Sequence, residues 1–235
     1  MIVIAIGGSL LRPEVEQKHV WLGDLIKIVR EQVASGNRLG LVIGGGAPAR
    51  EGISLAKPLI DDDYHLDKIG IAATRLNATI IREAFTEAGI SVSGIIPNSV
   101  NEATQLLEER PVVVMGGTEP GHTTDAVAVR LAIAVNAIKC IIATNVEKVF
   151  SEDPRKNPNA ESFDNLSHDE LQLIVGPAEH NEAGKSSVVD PIAVYEASKK
   201  NLELNIIDGR KIDRIKNTIQ GLDFLGTRIF SEVIK

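Results

Sequence analysis

Aromatic residues make up only 3% of the 235-residue chain, and there is one cysteine and one tryptophan. A core must therefore be assembled from Ile, Val, Leu and Ala, and a hydrophobic content of 43% is ample for one large α/β domain. The lone cysteine, Cys140, lies in an apolar run and excludes an internal disulfide, which fits a reducing, cytoplasmic setting. Basic residues are outnumbered, and the formal net charge of −7 argues against a nucleic acid or an anionic membrane as partner. No apolar stretch reaches membrane-spanning length. Residues 1–6 lack the basic flank and the length of a signal peptide. Repeats and low-complexity tracts are absent. Two phosphate-binding signatures are also missing. No Gly-x-Gly-x-x-Gly follows the first apolar run, so a dinucleotide-binding oxidoreductase is disfavoured. Gly184-Lys185-Ser186 looks like the end of a P-loop, but Glu179 stands where that motif needs its first glycine.

What the chain does have is glycine placed directly after short apolar runs. Residues 2–6 lead into Gly7-Gly8-Ser9, residues 39–43 into Gly44-Gly45-Gly46, and residues 112–115 into Gly116-Gly117-Thr118-Glu119-Pro120-Gly121-His122-Thr123-Thr124-Asp125. A strand, a tight glycine turn and a helix N-terminus together make an anion site. The first helical N–H groups have no internal partner, and glycine lets the backbone approach a ligand. The third loop adds hydroxyls at Thr118, Thr123 and Thr124. Read alone it is equally an ordinary turn with Thr123 or Thr124 as helix cap. Arg50 falls within a turn of the triple glycine, in reach of a phosphate, and Pro48 suits the first turn of a helix. Asp61-Asp62-Asp63 reads as a solvated acidic loop ahead of a helix rather than a metal site.

The remaining pattern alternates strand and helix. Strands are expected at 2–6, 39–43, 91–96, 112–115, 139–143, 204–207 and 227–234. Helices are expected at 19–34, 67–88, 100–109, 126–135, 171–175, 187–199 and 212–220, with Ser167 and Glu170 forming a capping box and Asp190 and Pro191 in a first turn. The apolar side of the 67–88 helix is read as Ile69, Ala72, Ala73, Leu76, Ile80 and Ala84. Alternation of this kind predicts a three-layer α/β/α sandwich around a mainly parallel sheet, with sites at the carboxyl ends of its strands. The three glycine loops and Thr144-Asn145 all fall on that edge.

These motifs resemble the amino acid kinase family, and within it the archaeal-type UMP kinase branch. The match runs through Ile6-Gly7-Gly8-Ser9, Val42 to Gly46 with Arg50, Met115 to Asp125, Thr144-Asn145-Val146 with Asp153-Pro154, and Ala183 to Pro191. The resemblance implies one kinase-like domain, with an acceptor-binding lobe over about 1–142 and an ATP-binding lobe over about 143–235. It implies transfer of the ATP γ-phosphoryl group to UMP in pyrimidine nucleotide synthesis, with Mg²⁺ accompanying ATP, a homohexameric assembly and UTP as feedback inhibitor. ATP would be held by Gly8, Ser9, Gly46, Arg50, Thr144, Asn145, Phe150 and Asp153. UMP would be held by Gly45, Asp67, Thr118, Glu119, Pro120, Gly121, His122, Thr123 and Thr124. No metal ligand is assigned to a protein side chain.

The acceptor phosphate needs no general base, because it is already largely dianionic near neutral pH. Catalysis would then rest on positioning and on neutralising charge at the transferred group. Arg50 and Lys185 are the expected cations. Asp190 either orients Lys185 or a metal-bound water, or simply caps its helix. One position departs from the family: Ala5 stands where many members carry a lysine two residues before the first glycine pair. That departure keeps open a non-catalytic nucleotide-binding protein; the other alternative is a sibling kinase with another acceptor such as isopentenyl phosphate, against which the Thr118 to Thr124 loop argues. Trp21 is expected near a subunit contact if the first long helix takes part in dimerisation.

Overall fold

The computed structural model describes residues 1–11, 18–154, 156–179 and 188–231. In chain order the elements are β1 (Ile2–Ile6), α1 (Lys18–Ala34), β2 (Leu39–Ile43), α2 (Gly46–Ala56), α3 (Asp63–Glu87), α4 (Val100–Glu109), β3 (Val112–Met115), α5 (Thr124–Ala134), β4 (Lys139–Thr144), β5 (Val149–Phe150), β6 (Ser162–Phe163), β7 (Asn165–Ser167), α6 (His168–Val175), α7 (Pro191–Lys199), β8 (Glu203–Asp208), α8 (Ile212–Gln220) and β9 (Gly226–Phe230). Among the described residues, seven strands form one sheet in the order β3-β2-β1-β4-β8-β9-β7. The five strands from β3 to β8 run parallel, β9 pairs antiparallel to β8, and β7 runs parallel to β9. β5 and β6 make a separate small hairpin.

The strands are apolar at nearly every position because both faces of the sheet are covered. Alternate side chains go to opposite cores. Val3, Ala5, Val42, Val113, Met115, Cys140, Ile142, Leu204 and Ile206 meet α4, α5, α6 and α7 on one side. Ile4, Ile6, Leu41, Ile43, Val114, Ile141 and Ile207 meet α1, α3 and α8 on the other. The three-layer arrangement expected from the alternating pattern is thus present. The capping box is formed as read, with Ser167 accepting from the Glu170 amide and Glu170 reaching back to the Ser167 amide at 2.6 Å.

Several local expectations are corrected. The 91–96 segment is not a strand. It touches β3 only at the Val92–Val112 bridge and through the Ser93 amide on the Val112 carbonyl. Arginines of α3 donate to the later carbonyls of the segment and just beyond it, Arg82 to Gly94, and Arg75 to Ile96 and Pro97 at 2.8 Å each. Side-chain donors thus replace a ladder. α3 begins a turn earlier than Asp67, at Asp63, where Asp62 caps it by accepting from the Tyr64 amide. Its buried face is Leu66, Thr74, Asn77, Ala78, Ile81 and Phe85, whereas Leu76 and Ile80 of the expected apolar side are 52% and 43% exposed. Only the C-terminal half of α3 lies on the sheet, and its middle faces the glycine loops, where polar groups are needed. α7 starts at Pro191, with Asp190 outside it as cap, rather than at 187. β9 spans Gly226–Phe230, and residues 232–235 of the expected closing strand lie outside the described residues. The two- and three-residue strands β5, β6 and β7 carry too little pattern to be read from sequence.

Trp21 packs into the core beneath α1. It is 8% exposed, and its indole N–H donates to the Gly209 carbonyl at 2.7 Å, tying α1 to the loop after β8. Trp21→Phe, which keeps an aromatic ring but loses that donor and part of the buried ring system, should lower stability by about 1–3 kcal/mol, read as a lower urea midpoint with the slope unchanged.

Candidate active site

Five parallel strands deliver their carboxyl ends to one edge. The loop after β1 and the loop after β2 pack backbone on backbone. A Cβ on Gly8 would lie 2.3 Å from the Gly46 nitrogen and 2.4 Å from the Gly44 carbonyl, so no other residue fits there without moving a loop. Gly46 opens α2 at φ +61°, a conformation that favours glycine. The Gly44 amide donates to the Ile6 carbonyl and the Gly7 amide to the Ala143 carbonyl, both at 2.8 Å. These bonds join the first loop to β4 on one side and to β2 on the other. Gly8, Ser9, Gly45, Gly46 and Thr144 are therefore neighbours, as the sequence implied. Arg50 lies on α2, exposed, and among the described residues it has no hydrogen-bond or ion-pair partner.

The loop from Gly116 to Thr123 crosses above β3 and is held from below by α3. The Gly117 amide donates to Thr74 Oγ1 and the Gly121 amide to Asp67 Oδ2, each at 2.7 Å. Asp67 thus meets the same loop as Thr118, Glu119, Pro120 and His122, with its carboxylate engaged by backbone. Gly121 turns the chain at φ +82°. Thr123, not Thr124, is the cap of α5, its hydroxyl oxygen accepting from the Ala126 amide at 3.3 Å. The same hydroxyl donates to Asp190 Oδ2 at 2.5 Å, while Asp190 Oδ1 accepts from the Ile192 and Ala193 amides. One carboxylate therefore joins the N-termini of α5 and α7, so Asp190 fulfils the capping role weighed for it. Lys185, the other expected cation, lies outside the described residues.

Some site residues stand apart. Asn145 is exposed just past β4. Phe150 belongs to the β5–β6 hairpin, which is tied to β9 by the Val149 amide on Thr227 Oγ1 at 2.9 Å. The Asp153 carbonyl takes the Lys156 and Asn157 amides in the turn beyond. The structure also adds residues that sequence reasoning passed over. Thr74 and Asn77 hold glycine loops, and their signal was visible as polar residues spaced helically from Asp67. A fifth loop, Asp208-Gly209-Arg210, follows β8 on the same edge, with Arg210 clamped on Asp208 at 2.8 and 2.9 Å. The Gly209 amide donates to the Thr144 carbonyl at 2.8 Å. An Asp-Gly pair directly after a buried run was the cue.

Electrostatically the notable group is Asp125, in the first turn of α5. Its carboxyl is pushed up to about 7, first by burial and then by the negative charge of Asp190, with a backbone hydrogen bond from Asp190 opposing. Cys140 lies close enough to feel Asp125, and burial chiefly pushes its thiol up, so it is no nucleophile. In the unfolded chain Asp125 ionises near 3.8, whereas the folded protein keeps the proton to about 7. The folded state therefore binds more protons between those values, and this contribution to stability is lost as pH rises through the folded pKa. The melting temperature of the unliganded protein should fall from about pH 4 to about pH 7, and Asp125→Asn should flatten that slope. An unchanged slope in the variant would contradict the assignment.

Comparison with known proteins agrees with this geometry. The sequence profile of the amino acid kinase family matches residues 1–208. The uridylate kinase of Natronomonas pharaonis is 38% identical over 229 residues, 97% of each chain, and that of Methanocaldococcus jannaschii is 35% identical over 221 residues, 94% of this chain and 96% of that one. The crystal structure of uridylate kinase from Archaeoglobus fulgidus superposes with a TM-score of 0.82 at 36% identity, covering 97% of this chain and all of the other. Likeness at that identity along nearly the whole chain, with the family's glycine loops packed as described on one sheet edge, makes this chain a member of the amino acid kinase family.

Proposed function

We propose that the chain transfers the γ-phosphoryl group of ATP to the phosphate of UMP, giving ADP and UDP. The observation that carries this reading is the Gly116–Thr123 loop. Its Gly117 and Gly121 amides are tied to Thr74 and Asp67 of α3, which fixes the rest of the loop and the N-terminus of α5 at the carboxyl edge. Such a cradle suits the phosphate of a nucleoside monophosphate, and the loop sequence is the part that separates UMP kinases from their siblings. Gly45, Asp67 and Thr118 to Thr124 would form the acceptor side. Gly8, Ser9, Gly46, Arg50, Thr144, Asn145, Phe150 and Asp153 would form the ATP side. The acceptor lobe would span about 1–142 and the ATP lobe about 143–235, sharing one sheet.

Bringing two polyanions together is the main barrier, so charge neutralisation is the central task. Ala5 is buried in the sheet against the α5 layer, and no cation stands there. Arg50 and Lys185 take that role in this reading, with the N-termini of α2, α5 and α7 adding partial positive charge. Mg²⁺ would enter with ATP, bound largely through phosphate oxygens, and would offset their charge. A cation bound nearby would offset the Asp190 charge, which after burial is the second cause of the raised Asp125 pKa. The assembly proposed is a homohexamer. The outward face of α3, with Leu76 and Ile80 about half exposed, supplies apolar surface that a second copy would cover. A cytoplasmic location, a role in pyrimidine nucleotide synthesis and inhibition by UTP complete the reading.

The deciding experiment is ADP release from Mg-ATP with UMP, CMP, dUMP, AMP and isopentenyl phosphate as acceptors. Turnover with UMP far above the rest is expected, and preference for another acceptor would discard the substrate while keeping the ATP site. Arg50→Ala should lower kcat/KM by about 100-fold, on the scale of losing one charge-assisted contact in the transition state, with the melting temperature little changed. Turnover equal to wild type would remove Arg50 from the site.

A further inference from the structure

Asp67, Thr74 and Asn77 are seven and then three residues apart on α3, a spacing that puts them on one helical face. All three bind loop backbone. Asp67 takes the Gly121 amide and Thr74 the Gly117 amide, while Asn77 Nδ2 donates to the Gly44 carbonyl at 2.8 Å and to the Gly45 carbonyl at 3.0 Å. Thr74 is the most constrained. Its own proton goes to the Ile71 carbonyl at 2.6 Å, which leaves its oxygen free to accept from Gly117. The loop also comes so close that a Cβ on Gly116 would lie 2.6 Å from Thr74 Oγ1. Thr74 is 7% exposed, and a side chain there to fill space alone would be valine, which has the same shape and no hydroxyl to satisfy. The loops after β4 and β8 are braced differently, by the Gly209 amide on the Thr144 carbonyl.

We propose that Thr74 is a positioning residue for the acceptor half of the site. Its hydroxyl sets the height of the 116–123 loop, and thereby where the loop amides and the α5 N-terminus meet the acceptor phosphate. Asn77 fixes the carbonyls of the neighbouring Gly44-Gly45 turn from the same helix face. The role rests on the UMP reading for its substrate, but the contact itself does not. The hydrogen bonds of the Thr74 hydroxyl go to Ile71 and Gly117 and to none of the loops assigned to ATP, so its loss should separate the two substrates kinetically.

The test compares Thr74→Val and Thr74→Ser in steady-state kinetics, and follows amide hydrogen exchange of residues 116–121 in the unliganded protein. Thr74→Val should raise KM for UMP about tenfold while KM for ATP stays within about twofold, as expected for one lost buried hydrogen bond. Thr74→Ser, which keeps the hydroxyl, should restore KM for UMP. Exchange at 116–121 should quicken in Thr74→Val and stay slow in Thr74→Ser. Thr74→Ala serves as the hydroxyl-free variant if valine does not fold. An unchanged KM for UMP in the valine variant, an equal rise for ATP, or a serine variant as impaired as the valine one would overturn the proposal. If the wild type does not turn over UMP, the substrate reading fails by itself. Exchange at 116–121 then decides Thr74 alone, and unchanged protection in Thr74→Val overturns its role.

Discussion

The contact on which the site depends is the one between Gly8 and the turn at Gly44-Gly45-Gly46. Two loops from adjacent parallel strands lie so close that a single added methyl group would meet backbone within 2.3 Å. Side chains there would push the loops apart, and the amides of both would no longer address one ligand. The entropic cost of so many glycines is accepted because backbone donors are the densest and most rigid source of partial positive charge available. Parallel pairing makes the contact possible, since it sends the ends of β1 and β2 in the same direction at matched register, Ile6 beside Ile43.

A helix off the sheet then does what the sheet cannot. α3 is long enough to pack its C-terminal half on the core through Ala78, Ile81 and Phe85, and still project its middle over the carboxyl edge. There Asp67, Thr74 and Asn77 exchange hydrogen bonds with loop backbone that would otherwise be buried without partners. The opposite side of the same helix carries exposed apolar residues. Any surface that covers them lies one helix diameter from the 116–123 loop, so in the proposed hexamer assembly and acceptor geometry would share one element.

The third constraint is the carboxylate of Asp190. It caps α7, takes the hydroxyl that caps α5, and adds its charge to the burial that chiefly holds a proton on Asp125 to about 7. Capping and charge are inseparable at this point. The same atoms that align two helix N-termini toward the site also make it unfavourable for both carboxylates to be ionised without a cation nearby.

The parallel strands, the three glycine loops and the capping residues were legible in the sequence because each is a local pattern. Buried strands read as unbroken apolar runs, glycine follows them where backbone must come close, and Ser167 and Thr123 occupy positions whose chemistry suits a free amide. Family membership was legible for the same reason, since the motifs are contiguous. What the sequence could not reveal depends on pairing between distant residues. The apolar side of α3 was read outward as inward, because periodicity identifies stripes and not the surface each one meets. The 91–96 run had strand composition, but arginines 75 and 82 took its carbonyls. The Thr74–Gly117, Asn77–Gly44 and Trp21–Gly209 bonds join residues at least 33 positions apart. Only the tertiary fold decides such partners, because a hydrogen bond is set by distance in space, and sequence separation constrains that distance only within a few residues.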